Sequence, residues 1–133
     1  MKIEYRMTVL CAAGLLAACA TGPYQARRVD NPLEQTSKVV LMDRGLRNDV
    51  SAAAMWTERL ENGLLGADVQ IKNESSKPLA VQFKVKFKDA NGSFIDETTW
   101  MPEVITQHEI HTLKVTALKK EAQDFVVLVK YGD

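Results

Sequence analysis

The chain has 133 residues, with 17 basic and 17 acidic side chains and therefore no formal net charge. That balance argues against a general nucleic-acid binder, which needs a basic excess to neutralise phosphates, and it supplies no strong field to steer charged substrates. Both cysteines, Cys11 and Cys19, lie near the amino terminus, so the chain beyond them has no disulfide, thiolate metal site or redox pair.

In chain order, residues 1–7 place Lys2 and Arg6 against Glu4, and an uncharged run, TVLCAAGLLAA, follows over residues 8–18. This pattern fits the leader and apolar region of a secretory signal and falls well short of the roughly 20 residues that span a bilayer. The run ends in Leu16-Ala17-Ala18-Cys19, which resembles the lipobox of bacterial lipoproteins: an aliphatic residue, two small residues and a cysteine. The resemblance implies cleavage after residue 18, a diacylglyceryl group on the Cys19 thiol and acylation of the new amino group. Each buried methylene then contributes about 0.8 kcal/mol, so several acyl chains hold the protein firmly on a membrane. An ordinary signal with an incidental cysteine is the competing reading. Ala20 occupies the position where Asp commonly marks inner-membrane retention, so the resemblance implies the outer membrane, periplasmic side. Loss of residues 1–18 removes Lys2, Arg6 and Glu4, which shifts the balance by one charge towards acidic.

Residues 19–37 comprise the lipidated cysteine and a stretch with Gly22, Pro23, Pro32 and no sustained period. We read this as a tether without fixed structure, about 60 Å long if fully extended. Arg27 and Arg28 read as a solvated pair within it.

From residue 38 to 133 the texture changes to short runs rich in Val, Ile, Thr and aromatics, separated by turn residues, which is a strand pattern. Strands are expected over 38–42, 51–60, 64–72, 79–88, 94–101, 109–118 and 124–131, although Ala52 to Ala54 lean towards helix. Asn62-Gly63 and Asp89-Ala90-Asn91-Gly92 supply turns. In 79–88, Leu79, Val81, Phe83, Val85 and Phe87 alternate with polar residues that include Lys84, Lys86 and Lys88, so one face is core and the lysine face reads as solvated. Pro102 is expected to end the returning strand 94–101, 117–123 to form one helical turn, and the apolar 124–131 to be a central strand covered on both sides. The sum is an all-β, two-layer antiparallel sandwich of immunoglobulin-like shape with about seven strands.

Several of these positions carry a further resemblance: Gly63-Leu64-Leu65, Val69, Asn73-Glu74-Ser75, Phe83 and Phe87 followed by Asp89 and Gly92, then Trp100 and Phe125-Val126-Val127-Leu128. With the lipobox and the proline-containing tether, the chain resembles the YcfL-like family of small proteobacterial lipoproteins. It departs from that pattern at Lys86 and Lys88, where another aromatic is expected. The resemblance covers most of the chain and implies an envelope lipoprotein with a small β-domain. Its members are often encoded near a lipoprotein that activates a peptidoglycan synthase, which is an association and not a mechanism.

No residue set has the form of a catalytic centre. His108 and His111, with Glu103 and Glu109 nearby, lack the secure geometry of a zinc site and read as loop histidines. Ser51, Ser75, Ser76 and Ser93 sit outside any nucleophile elbow. Asp96-Glu97 point to opposite faces of a strand, and residues 63–66 lack the Lys-Ser/Thr of a phosphate loop. We expect no enzyme, no cofactor and no metal. Trp56 and Trp100 are each expected to pack in the core, one of them between the sheets, with an exposed role as the alternative. Trp100-Met101-Pro102, leading into residues 103–108, is the candidate partner-binding surface, since aromatics and Met favour interfaces. The expected role is a noncatalytic protein-binding or structural module that contacts another envelope protein. The alternative is an accessory lipoprotein that binds peptidoglycan or another glycan.

Overall fold

The computed structural model describes Tyr24–Gln25, Arg27–Arg28 and residues 38–132. The lipobox, Cys19 and Ala20 lie outside the described residues. The elements are β1 (Tyr24–Gln25), β2 (Arg27–Arg28), β3 (Val39–Leu41), α1 (Leu46–Asp49), β4 (Val50–Arg59), β5 (Leu65–Asn73), β6 (Leu79–Lys88), β7 (Phe94–Glu97), β8 (Met101–Ile105), β9 (Ile110–Thr116) and β10 (Asp124–Tyr131).

Two sheets face each other. Sheet A has the order β1-β3-β10-β6, and the outer edge of β6 is shared by β7 and β8; sheet B has the order β2-β4-β5-β9. Most pairings are antiparallel, with β3 against β10 and β2 against β4 parallel. The all-β sandwich expected from the strand pattern is therefore present. Two pieces of the stretch read as a free tether depart from that reading: the backbones of β1 and β2 pair with β3 and β4, where a sheet edge offers hydrogen-bonding groups that would otherwise bond water.

The period-two pattern of β6 sets the core. Val81, Phe83, Val85 and Phe87 point inward and are fully buried, as are Phe125, Val127 and Val129 on the neighbouring β10. Sheet B meets them with Val50, Ala52, Met55, Ala67, Val69 and Ile71. A bulge between Ala52 and Ala54 lets both Ala52 and Met55 face inward; an inserted residue shifts strand parity, and the alanines form strand rather than helix. Trp56 is not a core residue, being 44% exposed, and the large rings between the sheets are Phe83, Phe87 and Phe125.

Both Asn-Gly turns form, with Gly63 and Gly92 at φ +81°, a conformation that favours glycine. The Asp89 carboxylate accepts from the Asn91 and Ser93 amides and closes the β6–β7 hairpin.

Three expectations are corrected. No helix forms over 117–123, despite its helix-forming composition. There the Gln123 amide, which a helix would aim at the Lys119 carbonyl, donates instead to the Lys88 carbonyl at 2.7 Å, and the Arg59 guanidinium reaches across from β4 to the Lys120 and Ala122 carbonyls at 3.3 and 2.9 Å. Pro102 does not end a strand: it lies inside β8, tolerated because β8 is an edge. The strand expected over 94–101 instead breaks at 98–100, where the Thr98 hydroxyl accepts from the Val85 amide at 3.1 Å. The short helix α1 forms where no helix was expected, burying Leu46.

Candidate partner-binding surface

The outward face of sheet A is built by strand parity. If Val81 to Phe87 point inward, Gln82, Lys84, Lys86 and Lys88 point outward. Pairing places Lys88 beside Asp124 and Phe94, Lys86 beside Val126 and Glu97, Lys84 beside Leu128, and Gln82 between Lys130 and Pro102. The centre is thus aliphatic, with Val126 and Leu128 half-buried. The Lys84 and Lys86 side chains are 19% and 31% exposed, so much of their length is covered where they stand on the sheet. β10 is a central strand, as expected, lying between β3 and β6, with one face fully buried and Asp124, Val126, Leu128 and Lys130 half-buried on the other.

Two rings organise the lysines. Trp100 has Lys130 Nζ at 4.3 Å and Lys84 Nζ at 5.3 Å from its centroid. Phe94, 56% exposed, has Lys86 and Lys88 at 5.0 and 5.2 Å. Such cation–π contacts contribute about 0.5–1 kcal/mol each at exposed positions. Between the rings, the Glu97 carboxylate lies 3.7 Å from both Lys84 and Lys86. At one corner Lys38 bonds Asp124 at 2.6 Å. Burial raises the Asp124 pKa, but the Lys38 hydrogen bond, the Phe125 amide and the charges of Lys38 and Lys88 outweigh it and hold the carboxyl below its usual value.

Trp100, Met101 and Pro102 do not point the same way. Trp100 lies on the outer face with Lys84 and Lys130, and Pro102 is exposed in register with Gln82. Met101 pairs with Phe83 and packs against the core. A shallow cleft of about 290 Å³ adjoins this end, lined by Ala80, Gln82, Pro102, Val104 and Gly132 among others. The sequence pattern assigns Lys84, Lys86 and Lys88 to solvent and singles out neither Phe94 nor Lys130, and it marks Glu97 only as one of a carboxylate pair on opposite strand faces. The signal was available: the Asn91-Gly92 turn fixes the hairpin register that puts Phe94 and Glu97 beside those lysines.

The histidines are apart. His108 is exposed in a turn at φ 60°. His111 is not a loop residue: it lies on β9, facing inward, its ring stacked on Phe83 at 5.8 Å and 7°. Among the described residues no group of three or more His, Cys, Asp or Glu is placed to hold a metal.

At the other end of β10, Tyr131 donates its hydroxyl to Asp49 at 2.7 Å and its amide to Asp43 at 2.8 Å, joining the carboxyl-terminal strand to α1 and the turn before it. Burial, the hydrogen bond to Asp49 and the charges of Asp49 and Asp43 push the phenol pKa up to about 12.

The fold and this surface define a small β-sandwich that presents a lysine-and-aromatic sheet face. The chain matches, over residues 37–131, the family described as "Protein of unknown function (DUF1425)". It belongs to that family. Two crystal structures are similar. Campylobacter jejuni cj0090 aligns with a TM-score of 0.60 and 19% identity, covering 72% of this chain and 99% of its own. A DUF1425 family member from Shewanella sp. pv-4 aligns with a TM-score of 0.57 and 21% identity, covering 63% and 79%. At these identities the likeness is one of fold. No curated protein matches the chain.

Proposed function

We propose that this protein is a lipid-anchored lipoprotein of the outer membrane, related to the YcfL-like lipoproteins, which acts without catalysis as a module that binds another envelope protein from the periplasmic side. The binding surface is the outer face of sheet A, and the observation that carries the reading is Trp100 held between Lys84 and Lys130 beside the exposed Pro102. A rigid aromatic with polar neighbours on a half-buried aliphatic floor is the composition of an interface anchor. The anchor itself rests on Leu16-Ala17-Ala18-Cys19 and the charged leader before it.

Crosslinking in intact envelopes followed by capture tests the binding role. A specific protein partner that is lost with Trp100→Ala is expected; the same yield from wild type and variant would remove Trp100 from the role. Incorporation of labelled palmitate tests the anchor, and label that persists in Cys19→Ala would refute lipidation at Cys19. The second reading, a peptidoglycan or glycan binder, draws on the same indole, since sugars stack on exposed aromatic faces. Sedimentation with purified sacculi separates the two: an adaptor for proteins stays in solution.

A further inference from the structure

Lys84, Lys86 and Lys88 stand on one side of β6, and alternate residues of a strand are about 6.8 Å apart. An extended polypeptide repeats its own alternate side chains at the same distance, so a segment with acidic residues at every second position matches this row carboxylate for ammonium. The protein contains a sample of the match. Glu97, on the paired β7, places its two carboxylate oxygens one each towards Lys84 and Lys86, both at 3.7 Å. Neither Lys88 nor Lys130 has a carboxylate within ion-pair distance among the described residues.

Charge is unevenly distributed as well. Setting aside Lys2, Arg6, Arg27 and Arg28 against Glu4, Asp30, Glu34 and Asp133, residues 38–132 carry equal numbers of basic and acidic side chains. On the outer face of sheet A, Lys84, Lys86, Lys88 and Lys130 outnumber Glu97 and Asp124. The face is locally positive on a neutral domain, and complementary charge selects the partner. Phe94 and Trp100 flank the row and supply apolar contact on either side of it.

We infer that the outer face of sheet A docks an extended acidic segment of a partner protein, with alternate carboxylates on Lys84, Lys86 and Lys88 and apolar side chains against Phe94 and Trp100. The inference rests on the protein-binding reading above and names the chemistry of the partner.

The test uses the full chain in a nonionic detergent and a synthetic peptide in which Glu alternates with Thr. Nuclear magnetic resonance shifts should be confined to β6, β7 and the Trp100 indole. Affinity should fall steeply between about 0.05 M and about 0.5 M salt, as screening shortens the range of charge. A peptide of the same composition with all Glu at one end should bind more weakly. Lys84→Gln/Lys86→Gln/Lys88→Gln together should weaken binding by roughly tenfold or more, with backbone resonances elsewhere unchanged. Glu97→Gln removes the internal competitor and should tighten binding, an effect that a damaged fold cannot imitate.

Shifts on sheet B, no shifts at all, or equal affinity of the lysine variant would overturn the inference. So would protection of these three lysines from acylation by phosphatidylglycerol nanodiscs and not by the peptide, which would assign the face to a membrane. If envelope crosslinking still returns a Trp100-dependent partner while the acidic peptide fails, the binding module stands and the acidic partner falls.

Discussion

Asn73, fully buried at the end of β5, connects the two sheets, and its replacement by Ala tests how the candidate surface is held in place. The side-chain amide donates to the Ile105 carbonyl on β8 and to the Lys77 carbonyl, both at 2.9 Å. Its oxygen accepts from the Ser75 amide and hydroxyl at 2.9 and 2.7 Å. Asn73→Ala strands the Ile105 carbonyl in a buried setting, which costs about 1–3 kcal/mol. The three bonds nearer the surface are largely replaced by water and add about 1 kcal/mol. A total of about 2–4 kcal/mol is a large share of the stability of a small domain. Urea unfolding should show a lower midpoint with an unchanged slope, and thermal unfolding a fall on the order of 10 °C or more. The isosteric Asn73→Asp sharpens the test, because an ionised carboxylate would face two carbonyl oxygens with no proton to give. Its folded-state pKa should be raised, so its stability is present below the unfolded value of about 3.9 and is lost as pH rises through the raised one. A loss under about 1 kcal/mol for Asn73→Ala, or a pH-independent Asn73→Asp, would refute this account.

Phe83→Ala empties a fully buried ring site at the middle of β6 and removes the partner of His111, and should cost about 3–5 kcal/mol by chemical denaturation. The raised Tyr131 pKa predicts stability that is present below the ordinary pKa of 10 and lost as pH climbs towards about 12; Tyr131→Phe should remove that alkaline component in a pH series of unfolding curves. Gly45→Ala would place a Cβ 2.5 Å from the Tyr131 hydroxyl oxygen, so it should displace the hydroxyl from Asp49 and return the phenol titration towards 10 in ultraviolet spectra. Ala20→Asp should move the protein to the inner-membrane fraction on a sucrose gradient, and unchanged fractionation would contradict the sorting expected of a residue at that position.

The strands easiest to read in advance were those whose side chains obey one rule along their length. In β6, alternation is unbroken from Leu79 to Lys88, and the burial of its residues follows it. β10 is visible as an apolar run and as a central strand, but the lysines of β6 paired beside Val126 and Leu128 on its second face come from the register and not from the run itself. The break between β7 and β8 was hidden for a different reason. Thr98-Thr99-Trp100 has strong strand propensity, yet at the break the Val85 amide is met by the Thr98 hydroxyl in place of a backbone carbonyl, while the Thr98 amide still donates to the Val85 carbonyl. The helix expected over 117–123 gives way to distant backbone partners, since the Ala117 amide donates to the Leu65 carbonyl and the Gln123 amide to the Lys88 carbonyl, which no local window contains. Core packing is the expectation for both tryptophans, yet Trp56 is exposed and Trp100 half-buried on the outer face of sheet A. The lysine and phenylalanine neighbours on that face become legible only through pairing, since a strand pattern says which way a side chain points and not what stands beside it.

The break at 98–100 also bears on self-association. Had residues 94–105 run as one strand, the outer edge of sheet A would offer a long row of free backbone groups to a second copy. Instead a newcomer meets four residues of β7 or five of β8, and the latter stretch includes Pro102, which has no amide hydrogen to give. If the proposed lipid on Cys19 holds the chain on a membrane, confinement to two dimensions raises the rate at which copies meet, and on this edge they find no template long enough to extend.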